Sequence, residues 1–136
     1  MNVSAVAREM EERLRALPTL LTVYLGQQTK SVTTPCAVVP LPDIQFNQTY
    51  QRGMTRIPWE IAVLAGKIGD ETAFDRLGIY ANGEGTDSVI EALQSSSAKP
   101  YTACDVVVVQ SAVFDAIEWQ GQDFQGAIFT LDVVGR

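Results

Sequence analysis

Residues 104–119 read CDVVVVQSAVFDAIEW, and this stretch decides the fold class. β-Branched and aromatic residues favour extended structure, so the run predicts one long β-strand. Val107 and Val109 fall in one two-residue phase, and Phe114 falls in the other. A strand that is apolar in both phases is either covered on both faces or bulged, here near Gln110.

The first residues of the chain, 3–17, predict an amphipathic helix. Their apolar side chains recur at spacings of three and four and form a single stripe: Val3, Val6, Met10, Leu14 and Leu17. Ser4 is the expected N-cap. Pro18 ends the helix, because a proline ring cannot continue the helical backbone.

Two further helices are expected in the middle of the chain. Residues 71–82 place apolar side chains on one stripe, and Asp70 is the predicted N-cap. A break that contains two glycines follows. Thr86 or Asp87 then caps a second, shorter helix, in which three apolar residues are closely spaced.

Shorter strands are predicted between the first helix and the central helices. The runs that qualify are residues 20–26, 36–39, 43–50 and 56–65. The run CAVV at 36–39 is bordered by prolines, which indicates the edge or the end of a sheet. Gly53 marks the tip of a hairpin. Pro58 indicates an edge or a bulge, because proline donates no ladder hydrogen bond.

The order of these elements predicts the fold class. A helix is followed by about four strands, two helices and two more strands. Strands grouped with strands, and helices with helices, indicate an α+β fold: a mostly antiparallel β-sheet with the N-terminal helix and the two central helices packed on it. The 136 residues suit a single domain, residues 1–136, and show no internal repeat.

The composition argues against catalysis and against metal or cofactor binding. The chain has no histidine, so the commonest general base and metal ligand are missing, and Ser88 and Ser111 lack an activating partner. Cys36 and Cys104 form no CxxC pair, which makes a zinc site improbable. The net charge of −6 disfavours wrapping of nucleic acid. We therefore expect no enzyme, no cofactor and no metal.

The sequence also predicts where the protein resides. Its N-terminus carries acidic residues and has no continuous apolar segment of the kind that a secretory signal needs. No run of about 18 apolar residues is present, so we expect no membrane span. We expect a cytoplasmic protein with two reduced thiols.

The predicted hairpin tip is the candidate interaction site. Tyr50, Arg52, Met54 and Arg56 cluster around it. Tyrosine, methionine and arginine are enriched in protein interfaces. We therefore predict that these four residues lie at a contact with a partner.

The chain between residues 35 and 93 resembles the tail terminator proteins of long-tailed bacteriophages, especially those of actinobacterial hosts. The shared motifs occur in order: P-x-A-V-V-P at 35–40, T-Y-x-R-G at 49–53, V-L-A-G at 63–66, A-x-x-x-L at 73–77 and G-x-x-S-V-I-E-A-L at 85–93. A short N-terminal helix that ends near a proline precedes them. The ordered set carries the resemblance, and no single motif would do so.

The resemblance implies a structural role in the virion. Tail terminators form a ring, usually a hexamer, on the head-proximal end of the tail tube. The ring stops tube polymerisation and offers a docking surface to the head–tail connector and neck proteins. Genomic DNA passes through the bore without specific binding, with no membrane or cofactor involved, and assembly takes place in the host cytoplasm. An acidic bore would let DNA slide without sticking.

Two other functions remain open from the sequence. A different neck component, such as a head-completion or head-closure protein, has similar size and charge. A small-molecule binding domain, with the long strand lining a closed apolar pocket, is the alternative from another class.

Overall fold

The computed structural model describes residues 2–18, 22–26, 34–42, 49–50, 54–82, 85, 88–119 and 121–135. Within these residues the elements are, in chain order, α1 (Val3–Arg15), β1 (Thr22–Leu25), β2 (Cys36–Val39), β3 (Thr49–Tyr50), β4 (Met54–Lys67), α2 (Glu71–Tyr80), α3 (Val89–Leu93), β5 (Val106–Trp119) and β6 (Gln122–Gly135). This order confirms the predicted α+β fold.

One mixed sheet has the strand order β1-β2-β4-β6-β5, with β3 also paired to β4. All pairings are antiparallel except that of β1 with β2. The prediction that the CAVV strand lies at a sheet edge is wrong, because β2 pairs on both sides. Pro35 and Pro40 flank this strand without entering it, so its own N–H groups stay available for pairing.

Strand β4 supplies the centre of the core. Its alternate side chains are fully buried or nearly so, as the two-residue period of a strand requires: Ile57, Trp59, Ile61, Val63 and Ala65. The Trp59 indole donates a hydrogen bond of 2.8 Å to the carbonyl of Pro40. This bond satisfies the one polar group of a side chain that is otherwise surrounded by apolar contacts.

Among the described residues Pro58 has a partner strand on one side only, which agrees with the predicted edge, and the alternative prediction of a bulge there is wrong. It pairs with Asp132 in an unbroken register, and the bulge of β4 lies between Leu64 and Gly66. On the other side of β4, the described pairings with β2 and β3 involve residues 62–64 and 54–55. Pro58 falls between them, so its missing N–H interrupts neither pairing.

Helix α1 begins one residue earlier than its predicted cap and ends before Pro18. The Asn2 side chain, and not that of Ser4, accepts hydrogen bonds from the backbone of Ser4 and Ala5. Asparagine is as good an N-cap as serine, and the choice of Asn2 leaves Ser4 inside the first turn. The predicted apolar stripe is buried except at Val3, which is half-buried.

The N-cap of α2 is the predicted residue, and the N-cap of α3 is a different one. Asp70 caps α2 as expected, accepting from the Thr72 backbone at 2.9 Å. Ser88 caps α3, accepting from the Glu91 backbone at 3.1 Å. The predicted caps Thr86 and Asp87 lie outside the described residues.

A polar clamp fastens residues 99–103 to α1. The Glu9 carboxylate accepts hydrogen bonds from the Thr102 backbone and hydroxyl and from the Ala103 backbone. The Arg13 guanidinium donates to two backbone carbonyls at 2.8 and 2.9 Å and lies 3.8 Å above the centre of the Tyr101 ring. Desolvation raises the pKa of Glu9, but these hydrogen bonds and the charge of Arg13 outweigh it and lower the pKa overall.

We expect Glu9→Gln to lower the free energy of unfolding by about 2 kcal/mol at pH 7, because charge-assisted hydrogen bonds are lost. The pKa of Glu9 is lowered on folding, so this contribution is complete above the ordinary value of 4.5 and disappears as the pH falls through the folded value. Urea unfolding of both proteins at pH 7 and pH 3 checks this. An equal difference at the two pH values would contradict the role of the charge.

Gly126 of β6 lies where the neighbouring strands β4 and β5 leave no room for a side chain. A Cβ atom there would lie 2.6 Å from Cδ1 of Ile117 and 2.7 Å from the carbonyl oxygen of Val63. We expect Gly126→Ala to lower the free energy of unfolding by about 1–3 kcal/mol, because backbone must shift. Gly78→Ala is the control: nothing lies within 4 Å of its Cβ position. Because Gly78 lies within helix α2, Gly78→Ala should raise the free energy of unfolding by about 0.5–1 kcal/mol. Thermal unfolding of both variants measures the two changes.

Candidate interaction surface on the β5–β6 hairpin

Strands β5 and β6 form a hairpin of two 14-residue strands, with Gly121 at its turn in a positive-φ conformation. β6 is paired on both sides, by β4 and by β5. β5 is the last strand in the order, so among the described residues it forms a sheet edge. Val107 is the one fully buried side chain in β5.

A bulge divides β5 into two parts with opposite phase. The register shifts between Val109 and Ser111, which confirms the predicted position. Val107 and Val109 therefore share a face with Phe114, since these three pair with Val133, Leu131 and Ala127 of β6. Without the bulge, Phe114 would lie on the other face.

All three helices pack on one face of the sheet, which we call the helix side. Their buried residues form a single core cluster with the apolar face of β4 and with Val107. The opposite face, which we call the open face, carries no helix among the described residues. A small separate cluster of Cys36, Leu64 and Phe124 is buried on that face, near the hairpin turn.

The helix side holds an apolar groove between α2 and β5. This α2 groove has a volume of about 520 Å³ and is lined by Ile68, Phe74, Leu77, Phe114, Ala116 and Gly126, among others. Phe74 is 71% exposed, Ile68 54% and Phe114 53%. Gln125 closes the floor near α2, because its amide donates hydrogen bonds to the carbonyls of Lys67 and Asp70.

The open face carries a second apolar surface on the same hairpin. This open-face patch consists of Val106, Val108 and Val113, which are 42%, 37% and 55% exposed. Their partners on β6 are Val134, Asp132 and Ile128. The patch and the α2 groove thus lie on opposite faces of one strand.

The charge of this region has one sign. Residues 100–135 contain no lysine or arginine and five acids: Asp105, Asp115, Glu118, Asp123 and Asp132. Asp115 pairs with Gly126 and Glu118 with Asp123, which puts the two acids on opposite faces of the hairpin. Arg56 of β4 forms an ion pair with Asp132.

The predicted contact residues are only partly located. Arg56 is described in full and lies on the open face, in one row with Val134 and Val106 of the hairpin. Tyr50 and Met54 pair with each other through the β3–β4 ladder, which confirms the hairpin, but their side chains lie outside the described residues. Arg52 and the tip at Gly53 also lie outside them. A partner contact at these four residues stays a prediction.

Two aromatic residues near that hairpin are Trp59 and Phe46, and only Trp59 lies among the described residues. Trp59 is buried in the core. Phe46 lies outside the described residues. The sequence did not single out the exposed side chains of Ile68 and Phe74. The exposure of Phe74 could have been anticipated, because this residue lies beside the buried stripe of α2.

The remaining reactive groups are buried. Burial raises the pKa of both Cys36 and Cys104 to about 11, so both thiols are protonated at neutral pH. Tyr101 has a raised pKa for the same reason, and its hydroxyl donates to the carbonyl of Leu93. Among the described residues no group of three or more Cys, Asp or Glu could hold a metal ion.

A second depression, of about 1150 Å³, lies between the end of α1 and residues 85–100. Its lining mixes charges of both signs: Glu12, Arg13, Glu91 and Lys99. Nη1 of Arg13 is buried and has no hydrogen-bond partner, so it is not open to a ligand in this depression.

Comparisons with known proteins do not identify a family. No family model matches the chain, and no curated protein matches it. In the described part of the chain, no helix has the length and apolar character needed to cross a membrane.

We expect Phe114→Ser to change the free energy of unfolding by less than about 1 kcal/mol, because half of the side chain already contacts solvent. The matched control is Phe129→Ser, at a fully buried phenylalanine of the neighbouring strand. It should cost about 3–5 kcal/mol. Chemical unfolding of the two variants measures both; equal losses would show that Phe114 belongs to the core and not to an interaction surface.

Proposed function

We propose that this protein is a structural subunit that forms a ring on the head-proximal end of a phage tail tube. In this role it stops polymerisation of the tube protein and offers the surface to which the head–tail connector docks. The observation that carries the proposal is the β5–β6 hairpin, which is apolar on both faces while the described helices cover one of them.

Exposed apolar surface on a sheet edge needs a physical reason. Isolated apolar residues on a surface are ordinary, but contiguous groups mark interaction sites. Natural edge strands are usually protected by lysine, proline or inward charge. Residues 106–119 contain no lysine or proline; the strand has a bulge and two acids, Asp115 and Glu118, in its second half, and its first four residues are all valine. A partner that covers the hairpin accounts for this composition.

The resemblance to tail terminators supplies the kind of partner. The ordered motifs of residues 35–93 extend from β2 to α3, and the hairpin follows them directly. We propose a ring of identical subunits, with the tail tube protein on one side and the neck proteins on the other, located in the virion. The five acids of residues 100–135 support a bore that repels DNA phosphate.

One alternative function has an observation in its favour. The α2 groove has a volume within the usual range of ligand pockets, roughly 300–1,000 Å³. Its walls are half exposed, however, and a small-molecule site usually buries most of its ligand. A protein interface suits such an open apolar surface better. Another neck component would use the same surfaces, and position in the particle separates it from a terminator.

Mass measurement of the purified protein, alone and with tail tubes, tests the proposal. We expect an oligomer of the 14.8 kDa chain that adds to one end of each tube and stops its elongation. Tubes already closed by a native terminator are the control and should not bind it. A stable monomer that never adds to open tubes would overturn the proposal.

A further inference from the structure

We infer that neighbouring copies join by a heterologous contact, in which the open-face patch of one copy docks into the α2 groove of the next. This inference rests on the proposed function and names the two surfaces that build the assembly. The partner that occupies the α2 groove is a second copy of this chain.

The positions of the two surfaces lead to this contact. Val113 and Phe114 are consecutive residues of one strand, so their side chains point to opposite faces. The open-face patch and the α2 groove therefore cannot cover each other within one molecule. Identical copies bury both when the patch of each copy meets the groove of another.

Charge disfavours the symmetrical arrangement of two open faces. Asp115 lies on the open face, two residues after Val113. A twofold contact centred on Val113 would bring the two copies of Asp115 close together, and like charges that face each other are destabilising. The α2 groove has Asp115 as its one charged lining residue, and its walls are apolar, formed by Ile68, Phe74 and Phe114 among others.

The exposed apolar area supplies most of what a specific contact needs. Taking about 200 Å² for a fully exposed phenylalanine, the six side chains of the patch and the groove expose on the order of 500 Å². Apolar atoms make up about 57% of a typical interface, so this corresponds to roughly 900 Å² in total before β-edge and loop contacts are added. Specific interfaces begin at about 1,000 Å².

This contact repeats from copy to copy. A heterologous contact leaves one free patch and one free groove on every partial assembly, so growth continues until a ring closes or a filament forms. A ring in which every copy uses both surfaces leaves neither exposed. The geometry thus agrees with a cyclic assembly without a twofold axis between neighbours.

Two single substitutions and their mixture test the inference. Val113→Asp places a charge in the open-face patch, and Phe74→Asp places one in the α2 groove. Each variant alone should self-associate at least tenfold more weakly than the wild type. An equimolar mixture retains one intact pair of surfaces and should form a dimer of twice 14.8 kDa that cannot grow. Light scattering coupled to size exclusion measures all three samples.

The control is Ile79→Asp, also on α2 and 52% exposed but outside the groove lining. It should assemble like the wild type. Thermal unfolding confirms that each variant is folded, and Val113→Ser with Phe74→Ser replaces any aspartate variant that is not.

The outcomes separate this inference from the proposed function. A mixture that stays monomeric, a variant that assembles like the wild type, or a wild-type chain that is monomeric at about 100 µM overturns the contact. Wild-type rings that depend on both surfaces but do not add to open tail tubes support the contact and overturn the terminator function.

Discussion

Burial of one face of β4 is the constraint on which the rest of the structure depends. Trp59 and the alternate residues of β4 that share its face are buried. Every described helix packs against that face of the sheet. Because side chains alternate along a strand, this burial also fixes which residues of β6 and β5 turn towards the helices. The open face, with Arg56 and Val113, is the direct consequence of the same alternation.

The helical layer is held by polar contacts as well as by apolar packing. Glu9 and Arg13, one turn apart on α1, bind the backbone of the segment that leads into β5. Gln125 similarly binds the turn before α2. Glu9 and Arg13 thus fix the segment before β5 to α1, and Gln125 fixes the beginning of β6 to the turn before α2. They position the hairpin relative to the helices without covering its outer half.

The sequence was sufficient for features that depend on local periodicity. The stripe of α1, the alternation of β4, the Asp70 cap and the bulge near Gln110 all follow from the pattern of neighbouring residues, and the structure confirms them. Ser88 and Glu91 also formed a recognisable S-x-x-E capping pattern that would have located the start of α3.

Features that depend on strand order could not be obtained in this way. The interior place of β2 and its parallel pairing with β1 are set by partners far along the chain. The α2 groove was missed for the same reason: Phe74 and Phe114 are 40 positions apart in the sequence, and their adjacency is tertiary. Of the predicted contact residues, Tyr50 and Met54 are located by their strand pairing, and Arg52 lies outside the described residues.

The bulge in β5 decides which side chains each face of the hairpin presents. One extra residue between Val109 and Ser111 reverses the facing of everything that follows, so Val113 and Phe114 exchange the sides they would have in a regular strand. A regular strand would turn Phe114 away from α2 and leave the groove without one wall. In the proposed assembly, this single inserted residue would set the direction in which one copy follows the next, and a ring with a direction could distinguish the two ends of a tube.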